Sequence, residues 1–398
     1  MTARPADVVV VGAGPAGAAC ALLLARAGCA VVLADKAHFP RPKPCGEYTS
    51  PAVAPLLDRL GLRAAVDAVG ARWLDGMRLS APDGSAWLVD YAAHGQRALA
   101  ISRAALDHVL VAAAARAGAR VVEGFRVEGL LTEGAAVVGV RGRIGSRPTT
   151  LAARLVVGAD GLHSAVARAL GASEALPWPR RLGLVAHYEG LRLDGQGEMY
   201  VGPRGYCGLA PSGNARVNVG IVVDMPRPGA QLPAAARFER ALVSIPAAAG
   251  RLAGARRVSA VRGVGPLGRR ARRVCGPGWL LVGDAAGFLD PFTGDGVYEA
   301  LRGGELAAAV AVRALAAADL SARALAPYAR RRRQTFGAKR RLGWLLQVFV
   351  HQPALLAYAL RRLNARPALG RPLSAALGDF GDAAAALHPA YLCRVLRP

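Results

Sequence analysis

The chain is 398 residues long, 53% hydrophobic and 20% charged, which excludes a disordered protein and supplies apolar material for two packed units. Its formal net charge is +24, yet Lys36, Lys43 and Lys339 are its only lysines. Arginine carries the rest, spread along the chain beside abundant Ala, Gly and Pro with no basic–aromatic module, so nucleic acid is excluded as a partner.

Four valines at 8–11 read as a buried parallel strand. Gly12, Gly14 and Gly17 follow, with Pro15 and Ala16 between them. Gly12 allows a tight turn, Gly14 lets the backbone approach a pyrophosphate, and Gly17 lets a helix pack against the strand. The helix predicted over 18–27 stops at Gly28. A second strand, 30–34, ends on Asp35, placed to accept hydrogen bonds from a ribose hydroxyl. Strand, helix, strand and acid in register predict a dinucleotide-binding unit. The first apolar run leads directly into the glycine loop, so it reads as a strand rather than a signal peptide. No stretch is long and apolar enough for a transmembrane helix.

A stiff proline-rich loop covers 38–47. A helix is predicted over 51–60, ended by Gly61, and short strands over 73–92 turn at Asp83-Gly84. Ser102 is a candidate cap for a helix running to Gly118. Strands at 120–128 and 136–141 precede an apolar strand at 155–158. That strand enters the turn Gly158-Ala159-Asp160-Gly161 and a helix over 164–170. Alternating patterns over 176–265 predict antiparallel sheet. A strand at 279–282 then delivers Gly283 and Asp284 to its carboxyl end, where open α/β sheets bind ligands. Gly294-Asp295-Gly296 leads into a helix from Val297, whose free amides suit a negatively charged ring such as a reduced flavin. After 320 the chain reads as helical.

These elements predict an α/β protein in three parts. A Rossmann-like nucleotide domain takes 1–72, 96–175 and 270–325, a substrate-binding sheet takes 73–95 and 176–269, and 326–398 form a helical region. The six cysteines make no CxxC pair and no zinc spacing, so no metal and a reduced, cytoplasmic setting are expected. Arg330 to Arg333 and Lys339-Arg340-Arg341 adjoin an apolar run containing Trp344 and Phe349. The 330–360 segment therefore reads either as a peripheral membrane contact or as a packed helix with solvated arginines.

Together, the N-terminal loop, the Gly158–Gly161 turn with Ser164, and the 283–296 run resemble the FAD-dependent oxidoreductases of the para-hydroxybenzoate hydroxylase fold. Lys43-Pro44-Cys45-Gly46 and Ala285-Ala286-Gly287-Phe288 resemble the geranylgeranyl reductase group within them. The run Gly205-Tyr206-Cys207-Gly208-Leu209-Ala210-Pro211 keeps only the proline of that group's aromatic-Phe-Pro segment. The resemblance implies non-covalent FAD, with NADPH or NADH as reductant and a small hydrophobic substrate. It assigns Arg103 to the FAD phosphates, Asp35 to the adenosine ribose and Asp284 to the ribitol region. Asp160 and Gly161 fall near the crossing of cofactor and pyridine nucleotide. Lys36, Gly46 and Val127, with Gly283, Pro291, Gly294, Asp295, Gly296 and Val297, complete the implied cofactor set.

Cys45 reads either as a proton donor by the flavin or as a packing residue, since an ordinary thiol is largely protonated at neutral pH. Glu47 reads as a site acid or a loop contact, and Tyr206 and Arg204 as structural. The implied activity is double-bond reduction on an isoprenoid, lipid-like or polyketide-like compound. The alternative is hydroxylation of an aromatic or polyketide compound. Halogenation is disfavoured, because Lys43 lies in the wrong stretch for a substrate lysine and Trp73 and Trp87 belong to no tryptophan-rich motif.

Overall fold

Residues 6–213, 215–225 and 232–397 are described by the computed structural model. The first strand, Ala6–Val11, occupies the middle of a parallel sheet, with Val9 opposite Val32 on one side and Val156 on the other. From one edge the sheet runs Cys275–Gly276, Trp279–Leu281, Arg147–Gly158, Ala6–Val11, Val31–Ala34 and Arg120–Val122. Val8, Val9 and Val10 have no exposed surface, as a strand covered on both faces requires. The helix Pro15–Arg26 starts with proline in its first turn and presents Ala18, Ala19 and Leu22 to the core. The fold is α/β.

Arg147–Gly158 is longer than the strand read at 155–158, and one end of it pairs antiparallel with Ala136–Ile144. Alternation of exposed Arg154 and Ala152 with buried Ala153 and Leu151 hid that extension among polar residues. Two further elements fall where only sheet was expected, the helices Ala234–Val243 and Pro246–Arg251. They bury Phe238, Leu242 and Ile245 on the back of the second sheet.

That second sheet has eight strands and is mainly antiparallel. Its order includes Arg181–Glu189, Arg216–Asp224, Gly205–Ser212, Gln196–Gly202, Gly76–Ser80 and Ala86–Asp90. Ser102 caps Arg103–Arg116 through the Ala105 amide at 3.2 Å, and Gly61 ends Val53–Leu60 in the left-handed conformation. Long helices close the chain, Gly296–Ala316 and Ala322–His351 foremost. Among the described residues, no helix is long and apolar enough to cross a membrane.

Buried ions tie the C-terminal helices to the parallel-sheet unit. Lys339 donates to the carbonyls of Ala376 and Leu377 at 2.8 and 2.9 Å and pairs with Asp379 at 2.7 Å. Burial pushes the Asp379 carboxyl up to about 6. Burial and then Asp295 push Glu299 up to about 7, against the pull of Arg332 and Arg340. Both carboxyls hold protons more tightly folded than unfolded, so their stabilising share is fully present below about pH 4 and is lost as pH rises through about 6 to 7. Glu299→Gln should therefore melt progressively higher relative to the parent between about pH 5 and pH 8. A melting difference that does not change with pH would contradict this account of Glu299.

Candidate active site

A cavity of about 250 Å³ lies between the carboxyl end of the parallel sheet and the face of the second sheet. Its nucleotide side is made by two glycine cradles. In the first, a Cβ on Gly12 would meet the Ala159 carbonyl at 2.4 Å, and one on Gly17 would meet the Gly12 carbonyl at 1.9 Å. Only glycine permits this close crossing of strand, turn and helix. Gly14 begins Pro15–Arg26 with no side-chain cap, so its end amides stay open to an anion.

Two guanidiniums face that helix end. The Arg41 and Arg103 termini lie 3.8 and 3.9 Å from where a Gly14 Cβ would stand. Asp107, with no exposed surface, accepts two hydrogen bonds of 2.8 Å from Arg103 and stands 3.3 Å from Arg41. A single buried carboxylate thus holds two cations at the mouth of a helix N-terminus, a donor set suited to a pyrophosphate.

The second cradle is the turn Pro291, Thr293, Gly294 and Gly296, leading through Val297 into Gly296–Ala316; that helix also lacks a side-chain cap. Gly294 has a φ of +67°, and a Cβ there would stand 2.4 Å from the Tyr48 ring. Gly283 and Asp284 line the same wall, with Lys43 3.8 Å from the Asp284 carboxylate. Burial, then the nearby Arg103 charge, lowers the affinity of Lys43 for its proton.

Asp35 closes the second strand and is buried, accepting from the Ala13 and Ala37 amides at 2.7 and 2.8 Å, while Lys36 beside it is exposed. Asp160 accepts from Ser164 at 2.5 Å and from the Ala165 amide at 2.6 Å, and Gly161 lines the cavity. Pro15, Ala16, Cys45 and Gly46 line it too. Asp295 instead faces a separate cleft near Lys339, and Val127 packs on the apolar layer around Phe125 and Val140.

Glu47 is buried with a φ of 53° and lies beneath the wall rather than on it. One carboxylate oxygen accepts from the Arg103 amide at 3.1 Å. The other accepts from Ser212 at 2.6 Å and meets His187 Nε2 at 2.9 Å. Glu47 thereby joins the cysteine loop to two strands of the second sheet. Tyr206 works similarly, donating to Asp290 at 2.5 Å while the buried Arg181 lies 3.8 Å from that carboxylate. Burial raises the Asp290 carboxyl above its ordinary range. Arg204 is exposed near Asp224.

The opposite wall is apolar. Met77, Leu79, Val89, Leu184, Met199, Ile221 and Val222 line it, and Gly208 faces Gly220 across two paired strands. A Cβ on Gly220 would stand in ordinary van der Waals contact, 3.7 Å from the Gly46 Cα, and one on Gly208 would meet the Met199 methyl at 3.3 Å, so the two glycines keep the floor low. Cys45 stands where this floor meets the nucleotide cradle, beside Arg103.

Sequence reasoning missed Arg41, Asp107, His187 and Ser212, and gave Lys43 no place in the cavity. Asp107 follows Arg103 by four residues on one helix, a spacing that could have revealed the pair.

Two uncapped helix ends, an arginine pair and a carboxylate at the strand terminus fit FAD and define an FAD-dependent oxidoreductase. Residues 5–334 match the FAD binding domain family. The digeranylgeranylglycerophospholipid reductase of Methanothrix thermoacetophila is 33% identical over 348 residues, covering 83% of this chain and 84% of that protein. The menaquinone reductase of Mycolicibacterium smegmatis is also 33% identical, covering 76% and 75%. Among solved structures, the flavin-dependent brominase Bmp2 superposes with a TM-score of 0.83 at 21% identity, covering 94% of each chain. The geranylgeranyl bacteriochlorophyll reductase-like protein of Thermoplasma acidophilum gives 0.76 at 24%, covering 90% and 91%. The chain belongs to the FAD binding domain family and, within it, to the geranylgeranyl reductase-like flavoenzymes.

Proposed function

We propose that the protein reduces carbon–carbon double bonds in the isoprenoid chain of a lipid-like substrate, taking hydride from NADPH or NADH by way of FAD. The observation that carries this reading is the long apolar wall, floored by Gly208 and Gly220, that abuts the nucleotide cradle. Such a wall offers a prenyl chain burial and few hydrogen bonds to satisfy. The names of the relatives above support the same chemistry.

FAD, when bound, supplies two-electron hydride transfer. The chain's own residues do the rest. Gly14, Arg41 and Arg103 would hold the FAD pyrophosphate, and Asp35 its ribose. Tyr206, through Asp290, fixes the second sheet against the 287–296 turn, while the apolar wall excludes water and lays the double bond alongside the cradle. Reduction adds a hydride to one carbon and a proton to the other. Cys45 donates that proton from its thiol and regains it from water, and Glu47 positions the loop that carries Cys45. Contact of residues 330–360 with an anionic lipid surface belongs to this reading, since Trp344 and Val348 are exposed beside Arg340 and Arg341.

Cys45→Ala should lower kcat about 100-fold, the scale of a lost general acid, with FAD content unchanged. Steady-state assays at matched FAD occupancy check this, and an unaltered kcat removes the thiol from the mechanism. For the reaction itself, enzyme, NADPH and a geranylgeranyl-bearing phospholipid are incubated without oxygen and the product is weighed by mass spectrometry. A gain of two hydrogens per double bond is expected. A product that forms only in air and carries added oxygen would overturn the reading in favour of hydroxylation.

A further inference from the structure

A second cleft, of about 560 Å³, lies behind the 287–296 turn, between the strand Arg269–Ala271 with its following residues and the helix Ala322–His351. Seven arginines and Lys339 line it, against three carboxylates: Asp290, Asp295 and Glu299. Asp290 already serves Arg181, and Asp295 stands 3.8 Å from Lys339. Arg270 and Arg272 share the one carboxylate of Glu174. Among the described residues, Arg273, Arg332, Arg333 and Arg340 make no ion pair at contact distance, while Glu299 acts on Arg332 and Arg340 from further away.

Glu299, whose carboxyl burial pushes up to about 7, acts on Arg332 only from further off, and Arg332 is 6% exposed with no carboxylate at contact distance. Such a group is costly unless a counter-charge arrives. Arg340, exposed on the same helix, adds a further guanidinium to the cleft lining. Trp344 lines the cleft and stacks on Trp178, and both rings are more than a third exposed. An exposed aromatic plane beside several guanidinium forks matches a ligand that joins phosphate to a flat or apolar group. The cleft shares Phe288, Phe292, Thr293 and Gly296 with the catalytic cavity, so the two adjoin across the 287–296 turn.

We infer that this cleft binds the phosphate end of a phosphorylated small molecule used in the reaction. Which molecule supplies the phosphate rests on the function proposed above. The adenosine phosphates of NADPH and the headgroup phosphate of a lipid substrate present the same chemistry.

The test is calorimetric and independent of turnover, so it stands apart from the fate of the reductase reading. FAD-loaded enzyme, its own nucleotide site filled, is titrated with inorganic pyrophosphate, with 2′,5′-ADP and with glycerol 1-phosphate. Sulfate at matched ionic strength is the control. Pyrophosphate should bind, and the Arg273→Gln/Arg333→Gln double variant should bind it at least about tenfold more weakly with its flavin spectrum unchanged. Preferential binding of 2′,5′-ADP assigns the cleft to the reductant, and preferential binding of glycerol phosphate assigns it to the lipid. Absence of binding by all three, unchanged affinity in the double variant, or equal binding of sulfate would overturn the inference.

Discussion

Arg103→Ala protein is expected to purify largely without its flavin. Arg103 supplies one of the two guanidiniums at the Gly14 helix end and is itself buried, held by a two-point contact to Asp107. Removing it would take away the proposed charge-assisted contact to the pyrophosphate and leave Asp107 with Arg41 alone, at 3.3 Å. Breaking a buried pair from one side costs about 3–5 kcal/mol. Divided between fold and ligand, that corresponds to FAD binding weakened about 100-fold, together with a lower melting temperature. The ratio of flavin to protein absorbance after gel filtration, followed by titration with FAD, measures it. Arg103→Lys should rescue poorly, because an ammonium cannot make the two-point fork. Arg204→Ala, on an exposed loop, should keep its flavin. Full retention of FAD by Arg103→Ala would remove the arginine pair from the cofactor site.

The second large effect is expected at Gly220. This glycine lines the cavity beside Gly208, its partner on the neighbouring strand. Gly220→Leu adds a branched side chain to the floor; its Cβ takes ordinary contact, 3.7 Å from the Gly46 Cα, and the longer branches reach into the cavity. Folding should be preserved, and flavin content is measured alongside, because the new side chain abuts Gly46. A chain laid along the floor would meet the new side chain, and turnover of a geranylgeranyl substrate should fall about 100-fold or more. Assaying geranyl, farnesyl and geranylgeranyl compounds in parallel separates steric exclusion from general damage, because exclusion penalises the longest most. Equal loss across all lengths would mean that the floor does not carry the chain.

Much of the nucleotide half was legible in the sequence because its signals are contiguous. Val8 to Gly17 hold strand, turn and helix start in ten residues, and 283–297 hold the second cradle. Each glycine there has a local steric reason that a pattern can express. The site's other supports join residues far apart in sequence. Glu47 meets His187 and Ser212, and Tyr206 meets Asp290, through strand pairings that a two-residue alternation cannot specify. Arg41 was hidden in a proline-rich loop with no periodicity. The helices at 234–251 were hidden because alanine-rich segments bounded by strands carry few apolar markers, here Phe238, Leu242 and Ile245.

The central claim is that hydride passes from FAD to a carbon–carbon double bond at the junction of the cradle and the apolar wall. It is tested most directly in a single turnover without oxygen. Enzyme whose flavin has been reduced is mixed with a geranylgeranyl phospholipid while absorbance near 450 nm is followed. The account predicts that the oxidised-flavin band returns, with one double bond saturated for each flavin reoxidised. A band that stays bleached until oxygen is admitted would contradict it.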